Sequence, residues 1–258
     1  MSSSADAGAA ELAAEYRIAN APFNTFPYPH LYLRDVFPAD YYAEIQRQLP
    51  APEALVPLEQ ARGVRGYPER SVMMLGGERP AGIAEPQYGF WRELAQWMLG
   101  GRFGQLILRK FGAIAEERLK DMPDMEVIDE LMLVHDRSRF SLGPHTDSPV
   151  KLVSMLFYLP ADERLASYGT SIYVPKEPGF ECPGGPHHSF EDFKRVATMP
   201  FLPNALFAFP KTRNSFHGVE PIAAAGVGRY LLLYDLRLRR IETGAAAPAA
   251  GPRVQFRF

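Results

Sequence analysis

Apolar residues recur at helical spacing in the first half of the chain and at strand spacing in the second. Tyr42, Ile45 and Leu49 lie three and four apart after Phe37-Pro38-Ala39-Asp40. The Pro38 turn or Asp40 starts this helix, and Pro50 ends it. Phe90, Trp91, Leu94, Trp97 and Met98 mark a second helix, stopped by Gly100-Gly101, and a third runs roughly from Phe103 to Leu119. These stripes read as helix faces packed on a sheet. Residues 50–80 are rich in Pro, Gly and Arg and keep no clean period. They are expected to form a long loop of the lid or substrate-facing kind.

From Met125 the period changes. Met125-Val134, Val150-Leu159, Thr170-Val174, Ala205-Phe209 and Arg229-Leu238 read as strands. The last alternates, with Arg229, Leu231 and Leu233 on one face and Tyr230, Leu232 and Tyr234 on the other. Short strands joined by Pro/Gly turns predict a sandwich or jelly roll rather than a parallel α/β sheet. The expected architecture is mainly β with α: a double-stranded β-helix (jelly-roll) core over about 125–240, with N-terminal helices packed on one sheet. Residues 1–10, rich in Ser, Ala and Gly, are expected to be disordered, 11–243 to form a single domain, and 244–258 to be a flexible tail. Val254, Phe256 and Phe258 alternate as a strand would and could dock back.

Composition narrows the function. At 258 residues and 47% hydrophobic content, the chain can bury a sizeable core. Lys plus Arg, 28, nearly balances Asp plus Glu, 30, so no global field gathers nucleic acid or anionic lipid. No apolar run approaches a membrane span, and the N-terminus does not read as a secretory signal. A single cysteine, Cys182, excludes an intrachain disulfide and suits a reducing cytoplasm. The thiol itself reads as a bystander in a Pro/Gly-rich loop.

The chemistry is carried by His145-Thr146-Asp147, followed by His217 and then Arg229. In a strand, residues i and i+2 point the same way, so His145 and Asp147 can share one ion while Thr146 faces away. Two imidazoles and one carboxylate leave three positions open on an octahedral Fe(II), where O2 and a co-substrate can be seated. A fixed guanidinium beyond the last ligand is what a dicarboxylate such as 2-oxoglutarate needs. Alone, the triplet is a weak motif. The strand that follows it, the second histidine about seventy residues on, and the arginine twelve residues after that make it specific.

These segments resemble the non-haem Fe(II)/2-oxoglutarate-dependent dioxygenases, in particular the prolyl-hydroxylase-like branch. His145-Thr146-Asp147-Ser148-Pro149 looks like the first ligand motif, and Lys151 to Leu159 like the strand after it. Ser215-Phe216-His217-Gly218-Val219 looks like the distal histidine motif, and Arg229-Tyr230-Leu231 like the co-substrate strand. The resemblance is clear over roughly 125–240 and loose before that. It implies that His145, Asp147 and His217 bind Fe(II), that Arg229 pairs with the distal carboxylate of 2-oxoglutarate, and that Tyr158 hydrogen-bonds the same carboxylate. It further implies consumption of O2, release of succinate and CO2, and ascorbate as reductant. Two departures stand out: the interval from His217 to Arg229 is longer than in the hydroxylases, and Leu231 replaces the small residue often found after the arginine. Asp147 is retained where family halogenases carry a small residue, which favours hydroxylation.

A small-molecule or natural-product-type substrate is expected, with a peptidyl proline as the alternative and no nucleic-acid or membrane partner. The composition leaves oligomeric state open. A cupin-like isomerase or binding protein that does not use 2-oxoglutarate is the rival reading, and Arg229 argues against it. His187-His188 reads as an exposed loop pair, His135 as structural, and His30 has no sequence partner. Arg62, Arg65, Arg70, Arg137 and Arg139 read mainly as solvated. Two or more arginines turned into the cavity beside the metal would instead indicate an anionic small-molecule substrate.

Overall fold

The computed structural model describes residues 4–120, 122 and 124–241. The helices are α1 (Ser4–Asn20), α2 (Ala39–Arg47), α3 (Leu58–Arg62), α4 (Glu85–Met98), α5 (Arg102–Lys110) and α6 (Gly112–Leu119). The strands are β1 (Leu31–Leu33), β2 (Val56–Pro57), β3 (Arg70–Leu75), β4 (Met125–Arg137), β5 (Leu142–His145), β6 (Lys151–Tyr158), β7 (Thr170–Pro175), β8 (Phe193–Met199), β9 (Ala205–Pro210), β10 (His217–Val219) and β11 (Gly228–Arg240).

The strands form two antiparallel sheets. The larger has the order β1-β9-β6-β11-β4-β3-β2, and the smaller β5-β10-β7-β8. From β4 onward the chain passes back and forth between them, which is the double-stranded β-helix. The large sheet has two faces of different character. Its outer face, including Leu131, Leu133, Val153, Met155, Phe157, Leu232, Tyr234 and Leu236, joins the helices in one cluster with Trp91, Leu94, Phe103 and Ile107. Its inner face, including Val72, Met132, Val134, Tyr158, Phe207, Phe209 and Leu231, turns toward the small sheet and meets Ile172 there. Register fixes which residues share the interior: Val134 opposes Val72 and Leu231, Leu231 opposes Tyr158, and Asp235 opposes Glu130 and Ser154.

Several expectations are corrected. The stretch 1–10, expected to be disordered, is helical from Ser4. Ala7 and Ala10, with Ala14 and Ile18 after them, form a buried stripe at three- and four-residue spacing. Small side chains let that helix approach closely, so an Ala-rich sequence that reads as low complexity is a packing surface. Residues 1–3 and 242–258, with the expected tail and its Val254, Phe256 and Phe258, lie outside the described residues. Residues 50–80 are not one loop. They contain α3 and β3, and β3 pairs with β4 along its whole length. Because both faces of β3 are covered, Val72, Met73 and Leu75 are all buried and no alternation marks it. The third helix is two, broken at Phe111, which is buried in the core. β8, an edge strand with an exposed centre, was not anticipated.

Trp91 is fully buried between the helices and the sheet, and its indole N–H donates to the Gln48 carbonyl at 2.8 Å. Replacing it by Ala is expected to remove about 3–5 kcal/mol of stability in chemical denaturation. A loss under about 1 kcal/mol would show that the helical layer is not part of the same core.

Candidate metal centre and adjoining cavity

The small sheet positions both histidines. His217 on β10 lies directly across from His145 on β5, and their rings stand 4.4 Å apart between centroids. Each ring is oriented by a carbonyl two residues earlier: His145 Nδ1 is 2.9 Å from the Gly143 oxygen, and His217 Nδ1 is 3.0 Å from the Ser215 oxygen. With Nδ1–H donating, each Nε2 is left with its lone pair for a ligand.

Asp147 comes from just beyond the strand, since β5 ends at His145. Ser154 Oγ donates to Asp147 Oδ2 at 2.7 Å, leaving Oδ1, which lies 3.9 Å from His217 Nε2. One donor atom from each of His145, Asp147 and His217 lies within 4.8 Å of the others, and all three residues are buried. Thr146 faces elsewhere: its hydroxyl donates to the Cys182 carbonyl at 3.1 Å and lies 3.2 Å from Lys211 Nζ. The Cys182 loop thus clamps the triplet from outside. Gly184, at φ +122°, packs so closely that a Cβ there would stand 2.3 Å from the Asp147 carbonyl oxygen.

Electrostatics prepare these groups for a cation. Burial pushes the His145 and His217 imidazoles below their ordinary range and keeps them neutral. Burial alone would raise the Asp147 carboxyl. The nearby Lys151 ammonium, the two imidazoles where acid protonates them, and the Ser154 hydrogen bond outweigh it and hold Asp147 well below the usual carboxylate range. Lys151 Nζ sits 3.5 Å from Asp147 Oδ1 and 2.9 Å from Asp235 Oδ2. Two buried imidazoles and a buried carboxylate with open space before them match the ligand set of a non-haem Fe(II) site.

A cavity of about 400 Å³ opens from this centre into the space between the sheets. Leu231, Leu233, Val134, Met132 and Phe209 give it apolar walls, and Arg229 lines it farther in. Arg229 is 1% exposed, and its Nε and Nη1 have no hydrogen-bond partner among the described residues. Its nearest carboxylate oxygen, Asp136 Oδ2, is 4.0 Å away and is already engaged by Arg70 at 2.9 Å. The guanidinium lies over the Phe201 ring at 4.7 Å. Thr170 Oγ1, also on the cavity wall, is likewise unpartnered. A buried cation with idle donors beside an idle hydroxyl is shaped to receive a carboxylate. Tyr158 is fully buried on the inner face of β6, and its phenol oxygen accepts the Thr170 N–H at 3.2 Å. It therefore braces Thr170 at the Arg229 end of the cavity.

No family model matches the chain, and no curated protein matches it. Among solved structures, a prolyl-4-hydroxylase from Pseudomonas putida is 18% identical, with a TM-score of 0.46 over 89% of this chain and 99% of that one. The epimerase SnoN, in complex with Fe3+, alpha-ketoglutarate and a nogalamycin compound, is 14% identical, with a TM-score of 0.48 over 96% and 93%. An oxidoreductase of the 2OG-Fe(II) oxygenase family from Burkholderia pseudomallei is 16% identical, with a TM-score of 0.43 over 81% and 84%.

The structure brings His145, Asp147, His217 and Arg229 to one cavity, with Tyr158 behind its wall. It treats several other residues differently from the sequence reading. His187 is exposed, yet its ring stacks 4.3 Å from His145, and its Nε2 is 3.2 Å from the Tyr67 hydroxyl, so it joins two walls of the cavity. Arg62 and Arg70, read mainly as solvated, also line the cavity, whereas Arg65 pairs with Glu59 at the surface. His135 packs on Tyr230 at 4.4 Å and against Gly228, a structural place. Cys182, a free thiol, is buried in its loop. Lys151, Ser154 and Asp235 were missed as site residues. Ser154 and Asp235 sit at the inward positions of strands already recognised, and that phase was the available signal. No helix among the described residues is long and apolar enough to cross a membrane.

Ser154→Ala removes the hydroxyl that donates to Asp147. Divalent-ion affinity, measured by titration of the metal-free protein, is expected to fall about 10–100-fold with the fold intact. An unchanged affinity would mean that the serine does not position the carboxylate.

Proposed function

We propose that this protein is an Fe(II)- and 2-oxoglutarate-dependent dioxygenase that hydroxylates a small-molecule substrate. The observation that carries the proposal is the buried, unpartnered Arg229 guanidinium in the same cavity as the His145–Asp147–His217 triad. A cupin-like metal protein without a 2-oxo acid gives no reason to bury a cation there with idle donors, because a desolvated charge is retained only where a partner is expected.

In this reading His145, His217 and Asp147 would hold the iron. Arg229 and the Thr170 hydroxyl hold the distal carboxylate of 2-oxoglutarate, and Tyr158 keeps Thr170 in place. When bound, the iron supplies O2 activation coupled to decarboxylation of the 2-oxo acid, so that one oxygen atom of O2 enters succinate and the other the substrate. The chain supplies orientation. The Gly143 and Ser215 carbonyls fix the imidazoles, Ser154 and Lys151 fix the carboxylate, and Val134, Leu231 and Leu233 on the inner face of the large sheet limit the water between them. Asp147 fills the acidic ligand position, which supports oxygen transfer to carbon over halogenation. The Tyr67–His187 contact narrows access between two walls, which supports a small molecule over a peptide.

With Fe(II), ascorbate and 2-oxoglutarate in air, the protein is expected to form succinate, slowly even without its substrate. His145→Ala and Asp147→Ala should abolish that activity, and its survival in either would remove the triad from the mechanism. Arg229→Gln should raise the 2-oxoglutarate concentration needed by about tenfold or more; an unchanged requirement would remove the anchor.

A further inference from the structure

We propose that the substrate is a small acid bearing a hydroxyl or ammonium group, and that Arg62, Glu130 and Arg237 form the site for its anionic group. The proposal rests on the dioxygenase reading and deepens it by assigning the rest of the cavity.

The cavity contains two clusters of the same design. In one, Asp136 takes a two-pronged contact from Arg70 at 2.6 and 2.9 Å, with Arg229 at 4.0 Å. In the other, Glu130 lies between Arg62, 2.6 Å from its Oε2, and Arg237, 3.0 Å from its Oε1. All four arginines line the cavity. Each cluster has two guanidiniums and one carboxylate, and among the described residues neither Arg62 nor Arg237 has another ion-pair partner. Each therefore keeps one positive charge unanswered. The first is answered by the distal carboxylate of the co-substrate. The second has the same need and no assigned ligand.

Its position suits a substrate. Arg229 and Arg237 share the inward face of β11, eight residues apart, so the two clusters lie toward opposite ends of the space between the sheets. Arg62 and Arg237 keep side-chain exposures of 23% and 22%, against 16% for Arg70 and 1% for Arg229, so the second cluster is the more open to solvent. Asp235, two residues before Arg237 on the same face, stands between this cluster and the triad. Its Oδ2 takes Lys151 at 2.9 Å, and Lys151 in turn is 3.5 Å from Asp147. Asp235 Oδ1 has no partner, although the residue is 1% exposed and lines the cavity. A buried carboxylate oxygen without a donor is costly to maintain. A hydroxyl or ammonium on the substrate would satisfy it while the anionic group rests on the two guanidiniums. The reacting carbon is then held beside the metal centre by two contacts of opposite polarity.

Binding can be read on the full-length, metal-free protein, independently of turnover. The probes are amino acids, 2-hydroxy acids and sugar phosphates, each beside its neutral counterpart, the carboxamide or the unphosphorylated sugar. At least one acid is expected to raise the melting temperature where its neutral counterpart does not. By calorimetry, that acid should bind at least about tenfold more weakly to Arg62→Gln and Arg237→Gln. Affinity should stay within a few-fold in Arg229→Gln and be largely restored in Arg62→Lys, which keeps the charge. Asp235→Asn should weaken amino acids more than hydroxy acids if the donor is an ammonium, and both alike if it is a hydroxyl. The proposal is overturned if no acid binds, if neutral or cationic probes bind best, or if affinity falls in Arg229→Gln and not in the Arg62 and Arg237 variants. Failure of succinate formation with acid binding intact would count against the dioxygenase reading alone.

Discussion

Charge brought into the gap between two sheets is the constraint on which the rest of the structure depends. Arg62, Arg70, Arg229, Arg237 and Lys151 all border the gap between the sheets. Desolvation makes each of them expensive unless a carboxylate stands close by. Asp136, Glu130 and Asp235 meet that need from inward positions of β4 and β11, the two central strands of the large sheet. The match is incomplete by design of position: one guanidinium at each end is left short of a partner, and one oxygen of Asp235 is left without a donor.

The metal centre distributes rigidity unevenly. The two imidazoles project from paired strands of the small sheet, each pinned by a carbonyl of its own strand or approach. The carboxylate hangs from the irregular segment after β5 and depends on Ser154 and Lys151, which belong to the opposite sheet. The ligand set therefore exists only when both sheets are in place. The helices matter to the chemistry in the same indirect way, because they cover the outer face of the large sheet and let its inner face carry charge.

Much of this was readable in the chain. β4, β6, β7, β9 and β11 were found within a few residues of their ends, because turns and period bound them locally. The convergence of His145, Asp147, His217 and Arg229 on one cavity was legible because the motifs that carry them lie on or beside recognisable strands. β3 was not, since Arg70 to Leu75 is covered on both faces and shows neither alternation nor helical spacing. α1 was hidden by composition: alanines score weakly in any pattern, yet they allow the closest helix approach. The inward charges were the hardest to see. Glu130, Asp136, Asp235 and Arg237 look like ordinary polar positions on half-exposed strands, and Arg62 like a loop arginine. Only long-range pairing, Asp235 with Glu130 and Val72 with Val134, shows that they face one another.

The alternation along β11 has a consequence for folding fidelity. Arg229, Asp235 and Arg237 point to the cavity while Leu232, Tyr234 and Leu236 point to the helices. If this strand paired with its neighbours one residue out of step, two arginines and an aspartate would be driven against Trp91 and Phe103, and three large apolar side chains would fill the place of the ligands. A misaligned sheet would be penalised on both faces at once. The inward charges thus also proofread the assembly of the sheet that carries them.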